Sequence, residues 1–430
     1  MAHAIIETYG CTLNQSDSDM IEGALHAEGI DTERGRYKED GESDYVIVNT
    51  CTVKTPTERR IIDRLRKLSH LGNKLIITGC MASANRDKIT EVAPRASIIS
   101  TSNIHMIRDA LAEISAGNGV SYTRYSRIDK LGSARMFGGV VARIPISEGC
   151  LSSCNFCETK FARGPLNSFD ERLILKAMEI AVEKGAKEIE LTSQDVGAYG
   201  IDRGTNIGEL VSMIADMEGD FRVRIGMLNP EHLNKYIDTL VSAYSDRRIY
   251  RFIHLPVQSG SDRVLHDMDR RYDISCILDH IHFLRKKIPG ISIETDMIVG
   301  YPTESHEDFE DSIDFIEHER PAFTNVSRFG ARPHTKASGL PRISDRIIKE
   351  RSSEMSRVAR AVQHQDMSKL IGTTESILIT ESNKRSFVGR DDYYRPVAIS
   401  KGYLSLKEGE RIDAKIVGNT SVCLLGEFTG

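Results

Sequence analysis

The first 120 residues alternate short apolar runs with longer stretches in which apolar residues recur every three or four positions. Ile104, Ile107 and Leu111, for example, fall on one face of a predicted helix. The apolar runs predict the strands Ala4–Tyr9, Asp44–Asn49, Lys74–Thr78 and Ser97–Ser100. Strands separated by helices of this length predict βαβ units and a parallel α/β sheet.

The same alternation continues from residue 139 to about residue 365, after a polar, glycine-containing stretch at 117–138 that we interpret as a linker. The predicted strands are Ala142–Ser147, Glu188–Thr192, Arg222–Gly226, Phe252–Leu255, Ser292–Ile298 and Phe323–Ser327. Six strand–helix units in succession favour a partial (β/α)6 barrel, and a second doubly wound sheet is the alternative.

The pattern changes again near the end of the chain. A long, charged helical stretch runs from about 344 to 370, and short strands separated by glycines follow it, which predicts a small β-barrel. We therefore divide the chain into three predicted domains at residues 1–120, 139–365 and 371–430.

Composition narrows the class of protein. Of the 430 residues, 40% are hydrophobic and 28% are charged, as in ordinary globular proteins, and the net charge is −5. No apolar run approaches the roughly 20 residues of a membrane helix, and the N-terminus lacks the features of a signal peptide. We expect a cytoplasmic protein that does not associate with membranes.

Three of the eight cysteines form a C-x₃-C-x₂-C run at Cys150, Cys154 and Cys157, directly after a predicted strand. Soft sulfur ligands suit iron–sulfur clusters or zinc. A structural zinc site usually has a fourth ligand and two separated pairs, whereas three local thiolates leave one iron of a cluster open to another molecule. The spacing favours a [4Fe-4S] cluster, with zinc as the alternative.

Three other cysteines, Cys11, Cys51 and Cys80, each follow the end of a predicted strand in the first domain. The carboxyl ends of parallel strands lie along one edge of the sheet, where ligands bind. One cysteine after a strand more often packs in the core, but three in succession predict a second three-cysteine site.

The two sets of cysteines and their surrounding motifs resemble those of the radical S-adenosylmethionine methylthiotransferase family. The first domain contributes Thr8-Tyr-Gly-Cys11-Thr-Leu-Asn14, Val48-Asn-Thr-Cys51-Thr and Ile77-Thr-Gly-Cys80-Met-Ala. The second contributes Leu191-Thr-Ser-Gln194-Asp195-Val-Gly-Ala-Tyr199-Gly, His254-Leu-Pro-Val-Gln258-Ser-Gly-Ser and Thr295-Asp296-Met-Ile-Val-Gly300-Tyr-Pro. The closing barrel resembles a TRAM domain, and the motifs are most similar to those of the archaeal and eukaryotic branch.

The resemblance implies an enzyme that adds a methylthio group to N6-threonylcarbamoyladenosine beside the tRNA anticodon. It also implies two [4Fe-4S] clusters and S-adenosylmethionine as cofactors, and tRNA, an electron-donor protein and a sulfur donor as partners. A carbon radical derived from S-adenosylmethionine removes the hydrogen, because no side-chain base can do so. No side chain is assigned a catalytic role.

Five further residues are candidates for cofactor binding. By the resemblance, Phe156 packs beside the adenine of S-adenosylmethionine. Arg163 has the bidentate fork that suits a carboxylate of the cofactor or substrate, or it is a surface arginine. Gln194 and Asp195 follow a strand at the predicted barrel mouth, and Asp296 lies in an apolar strand and needs a partner there. The sequence departs from the family at Glu158, where relatives usually have an apolar residue.

Three alternative functions remain open from the sequence: methylthiolation of isopentenyladenosine in tRNA, methylthiolation of a ribosomal protein side chain, and a non-catalytic iron–sulfur protein that binds RNA. Basic and aromatic residues in the last domain indicate an RNA-binding face. They are Lys384, Arg385, Arg390, Tyr393, Tyr394 and Arg395.

Overall fold

The computed structural model of the chain describes residues 2–38, 43–52, 55–132, 138–402 and 405–429. Its N-terminal part is a parallel sheet of six strands in the order β2-β1-β3-β4-β5-β6. The strands are β1 (His3–Thr8), β2 (Asp31–Arg34), β3 (Tyr45–Thr50), β4 (Leu75–Gly79), β5 (Ser97–Ile99) and β6 (Ser121–Tyr122). The helices are α1 (Thr12–Ala27), α2 (Thr55–Leu68), α3 (Cys80–Ala84), α4 (Arg86–Val92) and α5 (Ile107–Ser115).

The central strands β3 and β4 are almost entirely buried, because helices cover both faces of a parallel sheet. The predicted parallel α/β fold is confirmed. The edge strands β2 and β6 were missed from the sequence because they are polar. Strand β6 falls within the predicted linker, whose residues 133–137 lie outside the described part of the chain.

The middle of the chain forms two parallel three-stranded sheets, β11-β10-β7 and β12-β13-β14. A parallel bridge between Met227 and His254 joins them, so that six strands follow one another in chain order. This arrangement confirms the predicted partial (β/α)6 barrel. The strands are β7 (Val141–Pro145), β8 (Ser147–Glu148), β9 (Asn167–Ser168), β10 (Glu188–Thr192), β11 (Arg222–Ile225), β12 (Phe252–His254), β13 (Ser292–Val299) and β14 (Phe323–Arg328).

Helices alternate with these strands, and seven of the nine begin with a side-chain cap. Ser305 and Asp308, for example, form a capping box that satisfies free N–H groups at the start of α13. The helices are α6 (Thr159–Arg163), α7 (Glu171–Glu183), α8 (Ile207–Ala215), α9 (Pro230–Leu233), α10 (Ile237–Ala243), α11 (Asp262–Asp267), α12 (Ile274–Lys287), α13 (His306–Glu319) and α14 (Asp345–Ser368).

The C-terminal part is a closed five-stranded barrel in the order β15-β16-β17-β19-β18, which confirms the predicted small β-barrel. Its strands are β15 (Thr374–Ser382), β16 (Ser386–Arg390), β17 (Pro396–Ser400), β18 (Arg411–Asn419) and β19 (Leu424–Phe428). In the described ranges, no helix combines the length and the apolar surface that crossing a lipid bilayer requires.

Tyr394 packs this small barrel against the amino-terminal halves of strands in the middle domain. Its ring lies 4.9 Å from the rings of Tyr250 and Phe252, and its hydroxyl donates to Glu190 at 3.0 Å. Four of the residues predicted to form an RNA-binding face make contacts within the protein instead. Tyr394 packs against the middle domain, Arg390 lies 4.9 Å from the centre of the Tyr394 ring, and the Tyr393 hydroxyl accepts from Arg251 at 3.3 Å. Arg395 pairs with Asp391 and Glu375, whereas Lys384 and Arg385 are exposed.

Candidate active site

The cysteine run lies on a loop between β8 and α6. The Cys157 N–H donates to the Cys154 carbonyl at 3.1 Å, and the Cys150 N–H donates to the Gly164 carbonyl at 3.2 Å. Gly149 has a φ of 77°, and a Cβ there would lie 2.0 Å from the Pro165 carbonyl oxygen, so only glycine fits. The tight loop brings Cys150, Cys154 and Cys157 together as the first trio.

The electrostatics of the first trio fit a metal cluster. Burial raises the pKa of the Cys150 thiol to about 12, and the negative charges of Asp195, Cys157 and Cys154 act in the same direction. Burial and the charge of Cys154 also raise the pKa of Cys157. Three sulfurs crowded together in this way ionise readily only when they bind a cation, and soft metals provide one.

Arg270 contacts a sulfur of the first trio, and this contact was not predicted from the sequence. One of its terminal guanidinium nitrogens donates to the Cys154 sulfur at 3.2 Å, and the other donates to Asn229 Oδ1 at 2.8 Å. Its Nε donates to the Tyr272 hydroxyl at 2.6 Å. Because 116 residues separate Arg270 from Cys154, no spacing rule in the sequence could have found this contact.

The second trio consists of Cys11, Cys51 and Cys80, which follow β1, β3 and β4. The side-chain oxygen of Asn14 accepts from Cys11 at 3.4 Å and from Cys80 at 3.9 Å. A Cβ on Gly10, beside Cys11, would lie 3.0 Å from the Cβ of Cys51. The three cysteines therefore lie around one point at the carboxyl edge of the sheet.

No three His, Cys, Asp or Glu side chains of the described residues meet closely enough to hold a single metal ion. The ligands of a [4Fe-4S] cluster do not need to meet in this way, because each cysteine binds a different iron. The sulfur-only donor set of each trio thus fits a polynuclear iron–sulfur group.

A buried cluster of four charges lies behind the second trio. Arg163 pairs with Asp17 at 2.8 Å and with Glu148 at 2.9 Å, and Lys130 pairs with the same carboxylates at 2.7 and 2.8 Å. Burial alone would raise the pKa of Asp17, but the charges of Arg163 and Lys130 lower it below its ordinary value. Two cations and two anions make this four-charge cluster neutral.

Arg163 occupies a different place from the one the sequence indicated. Its side chain is fully buried, its Nε donates to the Cys80 sulfur at 3.4 Å, and one terminal nitrogen donates to Asn14 at 3.1 Å. Its guanidinium therefore contacts the second trio, although α6 directly follows the loop of the first. Lys130, which sequence analysis assigned to a polar linker, is also completely buried.

A cavity of about 570 Å³ opens beside the first trio and extends to the residue that follows Cys51. Its lining includes Phe156 and Cys157 of the first trio's loop, Thr52 next to Cys51, and Asp296. Phe156 also packs against the apolar cluster around Tyr301. The cavity is large enough for a small-molecule ligand.

Of the other candidate residues, Gln194 and Asp195 lie beyond the carboxyl end of β10, and Asp296 lies within β13. Burial raises the pKa of Asp195, which accepts from the Asn229 N–H at 3.0 Å. The second carboxylate oxygen of Asp195 and the side-chain oxygen of Gln194 are buried without a hydrogen-bond donor among the described residues. Such atoms need a polar partner, which a bound ligand can supply. Asp296 has protein partners, accepting from Asn325 at 3.0 Å and contacting His254 at 3.1 Å.

The open barrel and the cysteine loop at its carboxyl edge define a radical S-adenosylmethionine enzyme. The model of the Radical SAM superfamily matches residues 144–316, and that of the Uncharacterized protein family UPF0004 matches residues 3–100. The solved radical S-adenosylmethionine methyltransferase TsrM from Kitasatospora setae is similar in fold, with a TM-score of 0.56 at 13% identity over 79% of this chain and 77% of that one. The cobalamin-dependent radical enzyme OxsB also gives 0.56, at 12% identity over 84% of this chain and 56% of that one.

Curated relatives narrow this class to a family. The probable threonylcarbamoyladenosine tRNA methylthiotransferase of Pyrococcus horikoshii is 35% identical over the full length of both chains. The one of Archaeoglobus fulgidus is 38% identical over 98% of each. The human threonylcarbamoyladenosine tRNA methylthiotransferase is 30% identical over 92% of this chain and 69% of its own. The chain belongs to the threonylcarbamoyladenosine tRNA methylthiotransferase family, a family of radical enzymes that implies S-adenosylmethionine and a [4Fe-4S] cluster as cofactors.

Proposed function

We propose that this chain converts N6-threonylcarbamoyladenosine beside the tRNA anticodon to its 2-methylthio derivative. The observation that carries the proposal is a single cavity lined by Cys157 of the first trio and by Thr52, the neighbour of Cys51 in the second. This placement would let hydrogen removal and sulfur delivery act on the same carbon. The names of the full-length relatives support the nucleoside and favour it over isopentenyladenosine or a ribosomal protein.

The first trio would hold the cluster that receives S-adenosylmethionine, and the second trio would hold a second [4Fe-4S] cluster. Together these groups supply a carbon radical that removes hydrogen, and a sulfur atom that a second S-adenosylmethionine methylates. An electron-donor protein and a sulfur donor must provide the electrons and the sulfur. None of the eight cysteines forms a disulfide, which supports a reducing compartment such as the cytoplasm.

The chain's own residues would orient these groups. Phe156 at the cavity wall is suited to pack against the adenine of the cofactor. Gln194 and Asp195 offer buried acceptors for the hydroxyl and amino groups of the cofactor. Asp296 lines the cavity and would contact the cofactor there. For Arg163 we propose a role at the second trio, because its donors point to Cys80 and Asn14.

Iron analysis after anaerobic reconstitution tests the cofactor content. Two clusters correspond to about eight irons per chain, and Cys154→Ala and Cys80→Ala should each lower the count by about four. A wild-type count near four, with Cys80→Ala unchanged, would contradict the second cluster.

Nucleoside mass spectrometry tests the substrate. The reconstituted protein, S-adenosylmethionine, sulfide and a reductant are incubated with tRNA that carries threonylcarbamoyladenosine. The methylthio nucleoside should form with the wild-type chain and be lost in both cysteine variants. Modification of isopentenyladenosine tRNA in its place would show that the nucleoside is wrong but the chemistry right.

A further inference from the structure

Glu158 connects the loops of the two trios. It directly follows Cys157 and is only 4% exposed. One carboxylate oxygen accepts from the Thr52 hydroxyl at 2.8 Å, and the other accepts from the Asn85 amide at 2.9 Å. The Asn85 amide also donates to the Thr52 hydroxyl at 3.0 Å, so the three side chains form a closed triangle.

The two partners of Glu158 belong to the loops of the second trio. Thr52 directly follows Cys51, and Asn85 ends the short helix α3, whose first residue is Cys80. Cys157 and Cys51 are thus connected through the peptide bond from Cys157 to Glu158, the hydrogen bond between Glu158 and Thr52, and the peptide bond from Thr52 to Cys51. Because 106 residues separate Glu158 from Thr52, the contact joins two different domains.

We propose that Glu158 is a positioning residue that fixes the separation and orientation of the two trios across the shared cavity. The proposal rests on the proposed function, in which sulfur held at the second trio must reach the carbon from which hydrogen was removed. Glu158 and Thr52 both line that cavity. A displacement of about 1 Å in such a geometry can cost on the order of 100-fold in rate.

Other contacts between the domains lie at the carboxyl end of α6, the short helix that follows Glu158. The Thr101 hydroxyl donates to the Ala162 carbonyl at 3.0 Å, and Arg163 reaches Cys80. Glu158 differs from Arg163 because both of its partners are uncharged. Its replacement leaves no orphaned buried charge, and Thr52 and Asn85 can still bond to each other. Variants at Glu158 should therefore fold.

The test compares E158L, which removes both hydrogen-bond acceptors, with E158Q, which keeps one acceptor and the side-chain length. Two quantities are measured on the reconstituted enzyme with threonylcarbamoyladenosine tRNA. One is the amount of 5′-deoxyadenosine released per methylthio nucleoside formed. The other is the magnetic interaction between the two reduced clusters in the EPR spectrum.

We expect E158L to raise the ratio of 5′-deoxyadenosine to product about tenfold and to change the magnetic interaction. E158Q should restore most of both values. T52V removes the other partner of the same hydrogen bond and should change the ratio and the magnetic interaction in the same direction. In the double variant E158L/T52V, both quantities should equal those of E158L alone. E317L, on the exposed face of α13, is the control and should match wild type.

The results separate this proposal from the proposed function. A wild-type protein with only four irons, or without methylthio product, would overturn the function. A wild-type protein with about eight irons and normal product, together with an unchanged ratio and spectrum in E158L, would overturn only the positioning role. If E158L does not assemble its clusters, T52V and E158Q test the positioning role instead. A wild-type ratio and a wild-type EPR spectrum in T52V would then contradict that role.

Discussion

Replacing Arg163 with glutamine removes one of the two cations from the buried four-charge cluster. Lys130 alone then faces both Asp17 and Glu148, which leaves one uncompensated negative charge in the interior. The variant also loses the contacts from Arg163 to Cys80 and Asn14. Because no water reaches these groups, the lost charge cannot be replaced by solvent.

The expected loss follows from this geometry. Removing one partner of a buried ion pair costs about 3–5 kcal/mol of unfolding free energy. Arg203 offers a matched control, since it pairs with Asp170 at 3.0 Å but is about one-third exposed. Screening by solvent limits the effect of Arg203→Gln to about 0–1 kcal/mol. The two arginines thus differ mainly in burial.

Urea unfolding of the cluster-free protein under anaerobic conditions measures both variants. The double variant Glu148→Gln/Arg163→Gln restores neutrality and should be more stable than Arg163→Gln alone. The lowered pKa of Asp17 gives wild type a stability that is present above pH 3.8 and lost as the pH falls further, and the variant keeps only the part that Lys130 supplies. The deficit should therefore shrink as the pH falls. An Arg163→Gln protein within about 1 kcal/mol of wild type at neutral pH would refute this reasoning.

Three further predictions concern other parts of the molecule. Arg270→Gln should lower the midpoint potential of the first cluster, because a positive charge and a hydrogen bond to Cys154 are lost. The neighbouring Arg271 is mostly exposed, so Arg271→Gln should leave the potential unchanged. Equal potentials for wild type and both variants in an EPR redox titration would contradict this prediction. Burial and the charge of Glu190 raise the pKa of Glu188 from 4.5 to about 7, so the folded state holds a proton that the unfolded chain releases. The free energy of unfolding should consequently fall by about 3 kcal/mol as the pH rises through that interval, and Glu188→Gln should abolish this slope in urea unfolding. Phe161, 55% exposed beside the first trio's loop and 5.3 Å from the ring of His334, should stack on an RNA base. Phe161→Ala should then weaken RNA binding about tenfold in fluorescence anisotropy and Phe161→Tyr should not, and equal affinities would argue against the stacking.

The sequence predicted the fold well where local patterns determine it. The apolar strands β1, β3 and β4 and the helices between them follow from periodicity, and parallel pairing follows from their alternation. Pairing in turn predicts that Cys11, Cys51 and Cys80 share one edge, which the structure bears out. These inferences succeeded because each depends on nearby residues and one topological rule.

The rest of the site depends on contacts that no local pattern encodes. Arg163 follows the first trio in sequence but contacts the second, because ion pairs with Asp17 and Glu148 hold its guanidinium there. Lys130 looks like part of a polar linker, since a buried lysine is recognisable only once its carboxylate partners are known. Tyr394 was predicted to contact RNA, and only the packing of the two domains shows that its ring lies between them.

The attachment of the small barrel through Tyr394 sets a length requirement on any RNA that contacts both the barrel and the cavity. Tyr394 touches the first residue of β12, whereas the cysteine loop and Gln194 lie beyond the last residues of the strands. Strands of three to eight residues at about 3.3 Å per residue separate these two ends by about 10–26 Å. An RNA that contacts both the barrel and the cavity must span this distance, and a shorter stem-loop reaches only one of the two ends.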